Sequence, residues 1–138
     1  MHGSKLLKEF GASRDALWVY QGTKLIFQSR KKRLLPLLDY IEAFVPQTEG
    51  VIIYDRIVGN AAALLLKKAL CLTVYSPVAS QAAVRSLEKF GISYHFGNIV
   101  TSIQVGNSIC PMEKLAEGKS PDEFYQAVKD LVSRVKSK

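Results

Sequence analysis

The residues of this chain best placed for chemistry stand at the junction Asp55-Arg56-Ile57-Val58-Gly59-Asn60. It lies between the apolar run Val51-Ile52-Ile53-Tyr54 and the stretch Ala61-Ala62-Ala63-Leu64-Leu65-Leu66. A strand that turns into a helix leaves the first helical N–H groups without intrahelical partners, and the helix dipole adds partial positive charge there. Such a junction can hold an anion, a metal-ligand pair or nothing. Asp55 can accept hydrogen bonds from a ribose or amino group, while the amides of Gly59 and Asn60 face a phosphate, with Arg56 beside them. A carboxylate at a strand end can also attack an electron-poor ribosyl carbon, although no partner base is evident in the sequence. The plain structural alternative is that Asp55 or Asn60 caps the helix and Gly59 permits a tight turn.

A second set of candidates lies downstream. Cys110 directly precedes Pro111, which suits a helix N-cap, where the dipole favours a thiolate. Small buried core residues are the commoner use of cysteine. Cys110 and its neighbour Ser108 are expected to line the same pocket as Asp55, whereas Glu113 and Lys114 read as an exposed helical pair. Arg30-Lys31-Lys32-Arg33 is the one tight basic cluster; at a helix start it serves either as a phosphate contact or as a solvated turn. Tyr54 and Tyr75, near strand ends, are candidates for stacking on a base, while Trp18 and Tyr20 read as core or sheet-edge aromatics and His95 as a satisfied sheet histidine. The chain has no Gly-x-Gly-x-x-Gly, Walker loop, Gly-x-Ser-x-Gly elbow or His-Glu-x-x-His helix, which excludes those enzyme classes in their usual forms.

The elements that must carry these residues follow from periodicity. Residues 4–10 suggest a short helix stopping at Gly11. Residues 16–20 and 24–28 form strands joined across Gln21-Gly22-Thr23, a hairpin signal. A helix over about 32–44 has Pro36 in its first turn and Leu34, Leu35, Leu37, Leu38, Ile41 and Phe44 on one wide apolar face. Val51–Tyr54 is the kind of continuous apolar run covered on both faces. A helix from Gly59 or Asn60 to Leu70 precedes a strand over 72–75. Ser80 caps the next helix, which ends at Gly91. Residues 92–96 make the fifth strand, with 100–105 extending or pairing with it. After Gly106-Asn107-Ser108, a short helix runs from Pro111 to Gly118. The last helix opens on Ser120-Pro121-Asp122-Glu123, a capping box. The order predicts an α/β protein: a three-layer α/β/α sandwich around a mixed five-stranded sheet that starts with an antiparallel hairpin.

At 138 residues the chain fits one domain, 1–138, with 119–138 an appended C-terminal helix. Hydrophobic residues at 48% and charged residues at 22% are ordinary soluble usage. No apolar run approaches the roughly 20 residues that span a bilayer. The first residues lack an apolar signal core, so a cytoplasmic location and no membrane partner are expected. Two cysteines cannot make a disulfide framework, and in a reducing compartment both are free thiols. The net charge of +7 is spread along the chain apart from the 30–33 cluster, which suits a small phosphorylated ligand and, less well, nucleic acid.

The hairpin followed by alternating helices and strands resembles the cytidine-deaminase-like fold. Asp55-Arg56-Ile57-Val58-Gly59-Asn60-Ala61-Ala62-Ala63 and Ile109-Cys110-Pro111-Met112-Glu113-Lys114 resemble the two signature stretches of a small prokaryotic family of unknown function with that fold. The resemblance covers roughly residues 5–118 and implies a fold rather than an activity. It also implies assembly into a homo-oligomer through the helical layers. Zinc deaminases place His/Cys-x-Glu at one helix start and Pro-Cys-x-x-Cys at the next, to hold a metal-bound water and its proton shuttle. Here the corresponding helix starts, near Lys31–Arg33 and after Asp55, hold no such ligands. Neither His2 nor His95 begins a His-x-Glu, and Cys110-Pro111 is in the reverse order. A zinc-dependent deaminase is therefore not expected, and no metal site is assigned. The leading expectation is a nucleotide-like or ADP-ribose-like ligand bound by Asp55, Arg56, Gly59, Asn60, Ser108 and Cys110. The residues leave open whether any reaction follows. The alternative is an oligomeric or RNA-associated binding module without enzymatic activity.

Overall fold

The computed structural model describes residues 2–105 and 108–136, so the expected turn at Gly106 and Asn107 lies outside the described residues. In chain order the elements are α1 (His2–Ala12), β1 (Leu17–Gln21), β2 (Lys24–Ser29), α2 (Leu35–Phe44), β3 (Val51–Asp55), β4 (Ile57–Val58) and α3 (Asn60–Lys68). There follow β5 (Cys71–Ser80), α4 (Gln81–Phe90), β6 (Ser93–Val100), β7 (Gln104–Val105), β8 (Ser108–Ile109), α5 (Pro111–Ala116) and α6 (Pro121–Lys136). The chain adopts the expected α/β architecture, a mixed sheet flanked by helices.

The β1–β2 hairpin turns at Gly22, whose φ of 61° lies in the left-handed region that costs glycine nothing. β1 runs antiparallel to both β2 and β3, and β3, β5 and β6 run parallel to one another. Counted as segments the main sheet has six strands rather than five. The reason is a local break: Tyr54 lies opposite Tyr75 and Ile57 opposite Val78, so β3 and β4 share one register along β5 and the pairing lapses only at Asp55 and Arg56. The residues singled out for chemistry are thus the interruption in a central strand. The stretch after β6 does not extend it; Gln104 and Val105 pair instead with Ile109 and Ser108 in a separate small ribbon.

Leu17, Val19, Val51, Ile53 and Val74 are fully buried on one sheet face, in a single core with α2, α3, α4 and α6. Residues 61–66 of α3 are buried all round, the state expected of a helix without a polar face. Phe124 and Val128 of α6 close the core over α3, and the capping box that starts α6 is formed as expected. Glu123 N–H donates to Ser120 Oγ at 3.1 Å and Ser120 N–H to Glu123 Oε1 at 2.9 Å. The opposite sheet face carries an aromatic row, Trp18, Tyr54, Tyr75 and His95, set side by side by the strand register. Tyr54 and Tyr75 stack at 4.8 Å, and Tyr75 and His95 at 4.7 Å. The two tyrosines therefore stack on each other. Helix α1 lies over this row with Phe10 edge-on to Trp18 at 5.1 Å, and it runs through Gly11 to Ala12 rather than stopping at Gly11. A Cβ on Gly3 would fall 2.2 Å from Tyr75 Oη, so only glycine allows this approach.

Candidate functional site

A cleft of about 390 Å³ opens at the edge of the sheet where β2 and β3 end and β1 begins. Its floor is Asp55, Arg56, Ile57 and Gly59; one wall is the basic loop Arg30–Leu34 with Arg14 to Ala16, and the other is Ile103–Val105 with Cys110, Met112 and Glu113. The carboxyl ends of parallel strands are where open α/β sheets place their ligands.

Asp55 is 7% exposed. Burial pushes its carboxyl up to about 7, while the backbone N–H groups of Arg56 and Ile57 and the Arg56 guanidinium pull it the other way. Those N–H groups are available because the β3–β4 interruption falls there. A carboxyl poised near neutrality can accept from or donate to a ligand hydroxyl.

Arg56 lines the cleft, but its guanidinium turns to the end of α1. Nη1 donates to the Gly11 carbonyl at 3.1 Å, and Nη2 donates to the carbonyls of Phe10 at 3.1 Å, Ser13 at 2.9 Å and Asp15. It also covers the Phe10 ring at 4.7 Å. Arg56 thus gathers the carbonyls at the end of α1, of which that of Phe10 also accepts from Ser13, and ties α1 to the cleft floor. Asp15, in turn, accepts from Trp18 Nε1 at 2.6 Å and Arg30 Nε at 2.9 Å, and these bonds hold its carboxyl below the usual carboxylate range.

The start of α3 differs most from expectation. Gly59 is the N-cap and supplies no side chain, and neither Asp55 nor Asn60 caps the helix. Glu113 does so from 53 residues away: Asn60 N–H donates to Oε1 at 2.7 Å and Ala61 N–H to Oε2 at 3.1 Å. The amides expected to face a phosphate face this carboxylate. A Cβ on Gly59 would lie 2.6 Å from Glu113 Oε2, so the glycine makes the room. Burial pushes the Glu113 carboxyl up, with the Ala61 and Asn60 amides opposing. The expectation of an exposed Glu113–Lys114 pair thus fails for Glu113, which points inward and is half-buried, while Lys114 is exposed. Sequence reasoning missed this contact because nothing local links the two positions. The one signal is a helix start whose own N-cap offers no acceptor.

Of the six residues expected to bind a ligand, Asp55, Arg56, Gly59 and Cys110 meet at the cleft. Asn60 turns its side chain to α4, where its Oδ1 accepts from Ser86 Oγ. Ser108 stands exposed on β8, paired with the lining residue Val105 but not itself part of the lining. Cys110 is the N-cap of α5 and is partly buried, and its side chain makes no capping hydrogen bond. Cys71 is buried at the start of β5, its thiol pushed up to about 12 by burial. The basic cluster joins the same cleft. Arg30 is paired with Asp15 and Lys31 with Asp39 at 2.7 Å, while Arg14, Lys32 and Arg33 have no ion pair among the described residues. Arg33 sits at a φ of 61°, a left-handed conformation uncommon for a side-chain-bearing residue and one that recurs at binding sites. Among the described residues no group of three or more His, Cys, Asp or Glu is placed to hold a metal, and no helix is long and apolar enough to cross a membrane.

The family model for DUF1893 (TM1506), a domain of unknown function, matches residues 5–132 and so extends well into α6. The crystal structure of a DUF1893 family protein, TM1506 from Thermotoga maritima, aligns with a TM-score of 0.82 at 29% identity, covering 92% of this chain and 87% of that one. No curated protein matches. With the family match spanning nearly the whole fold, from α1 through the cleft to α6, the chain belongs to the DUF1893 family.

Proposed function

We propose that the cleft binds a phosphorylated small molecule of nucleotide or ADP-ribose type. Asp55 contacts the ligand's hydroxyl or amino groups, and the loop of Lys32 and Arg33 contacts its phosphate. The observation that carries this reading is the meeting, in one concave site at the strand ends, of a buried carboxyl and three bases that have no ion pair among the described residues. The cleft volume of about 390 Å³ lies within the range of small-molecule sites.

Native mass spectrometry of the purified protein with added ADP-ribose tests this reading. A one-to-one adduct, lost in Asp55→Ala, is the expected result. Binding of RNA that persists in Asp55→Ala and collapses with salt would favour a nucleic-acid module instead. Assembly into a homo-oligomer belongs to the same proposal and rests on the family resemblance. The same spectra report the oligomeric mass.

A further inference from the structure

We infer that Glu113 sets the polarity of the cleft: it occupies the start of α3 as a built-in anion, so a ligand's phosphate lies against Lys32, Arg33 and Arg14 while its hydroxyl or amino donors face Asp55 and Glu113. This rests on the reading that the cleft takes a phosphorylated ligand. It adds a residue that selects how the ligand lies and which chemical groups it must carry at each end.

Four observations lead to it. The two amides that a phosphate would seek, those of Asn60 and Ala61, already donate to Glu113 at 2.7 and 3.1 Å. Gly59 lacks the Cβ that would stand 2.6 Å from the Glu113 carboxylate, so the site is shaped for that carboxylate. Asp55 lines the same floor, and a phosphate placed at the start of α3 would compete with the Glu113 carboxylate for the two amides and meet its like charge in a partly buried setting. At the other wall, Arg14, Lys32 and Arg33 have no ion pair among the described residues. A molecule that matches both ends is anionic at one end and presents vicinal hydroxyls or an amine at the other, as a sugar phosphate does.

The experiment is a calorimetric titration of the full chain with ADP-ribose as probe, for wild type, Glu113→Gln and Arg33→Gln, with the amide NMR signals of Asn60 and Ala61 followed in parallel. Glu113→Gln keeps an acceptor oxygen for one of the two α3 amides and sets a donor NH2 against the other, so its melting curve checks the fold. Arg33→Gln should weaken binding about tenfold, the loss of one charge-assisted contact. Glu113→Gln should leave affinity within about threefold or weaken it, because a charged acceptor facing the ligand's donors becomes neutral while only a distant repulsion of the phosphate is relieved. The Asn60 and Ala61 amides should keep their carboxylate-bound shifts in wild type. Tightening of tenfold or more in Glu113→Gln, with those amides shifting on titration, would place the phosphate at α3 and overturn the inference while leaving the proposed ligand class intact. No heat and no shift with wild type would reject the ligand class, and the inference with it.

Discussion

Asp55 carries a pH dependence whose sign follows from its surroundings. Its carboxyl has an ordinary value of 3.8, which holds for the unfolded chain, and burial in the fold pushes it up to about 7. Between those values the folded chain holds the proton more tightly than the unfolded chain, so this group's contribution to stability is fully present below about pH 4 and is lost as pH rises through about 7. Asp55→Asn keeps an acceptor for the Arg56 and Ile57 amides and removes the titration. The variant should therefore melt several degrees above wild type at pH 8, with the gap closing towards pH 4. Parallel melting curves across that range would show that Asp55 is ionised in the fold at no cost. Gly59 makes a second residue-scale case. A Cβ there meets the end of the Glu113 side chain, which can swing away, so Gly59→Ala should fold but lose the α3 cap. The expected cost is about 0.5–2 kcal/mol in denaturant unfolding.

At the scale of elements, that cap couples α3 to α5. If Gly59→Ala acts by expelling Glu113, then Gly59→Ala and Glu113→Ala should not add: the double variant should cost little more than the costlier single change. Additive losses would mean that Gly59 matters for its own backbone instead. The Arg56 clamp couples α1 to the floor in the same way. Arg56→Met strips four carbonyls of a cationic donor, and about 2–4 kcal/mol of stability should go with it, accompanied by faster amide exchange in residues 3–12. These couplings also mark the limit of what the chain discloses before folding. Ser80 and Gly91 bound α4, Gly22 turns the hairpin, and Ser120 with Glu123 starts α6, all legibly, because each rule acts within a few residues. The Glu113 cap and the Arg56 clamp join positions 41 to 53 residues apart, and no local pattern encodes them. The small β7–β8 ribbon escapes sequence reasoning for another reason: its two-residue strands are too short to show a period.

For the whole molecule, the alternation of strands and helices sets the sheet and its helical cover, and thereby the edge at which the chemistry must sit. Asp55, Gly59, Cys110 and the 30–33 cluster converge there because each lies at or just beyond a strand end or at a helix start on that edge. Asn60 and Ser108 lie close in sequence to that edge and yet face elsewhere, since side-chain direction depends on packing against α4 and on the β7–β8 pairing. The net charge of +7 adds a global attraction for anions, so binding should weaken with salt, but only modestly for a ligand held in a cleft by a few contacts. The most direct test of the central claim is calorimetric titration of ADP-ribose into wild type and Asp55→Asn at near-physiological salt. Saturable one-to-one binding to wild type that falls at least tenfold in Asp55→Asn is the predicted result. Equal binding to both proteins, or none to wild type, would contradict a ligand site built on Asp55.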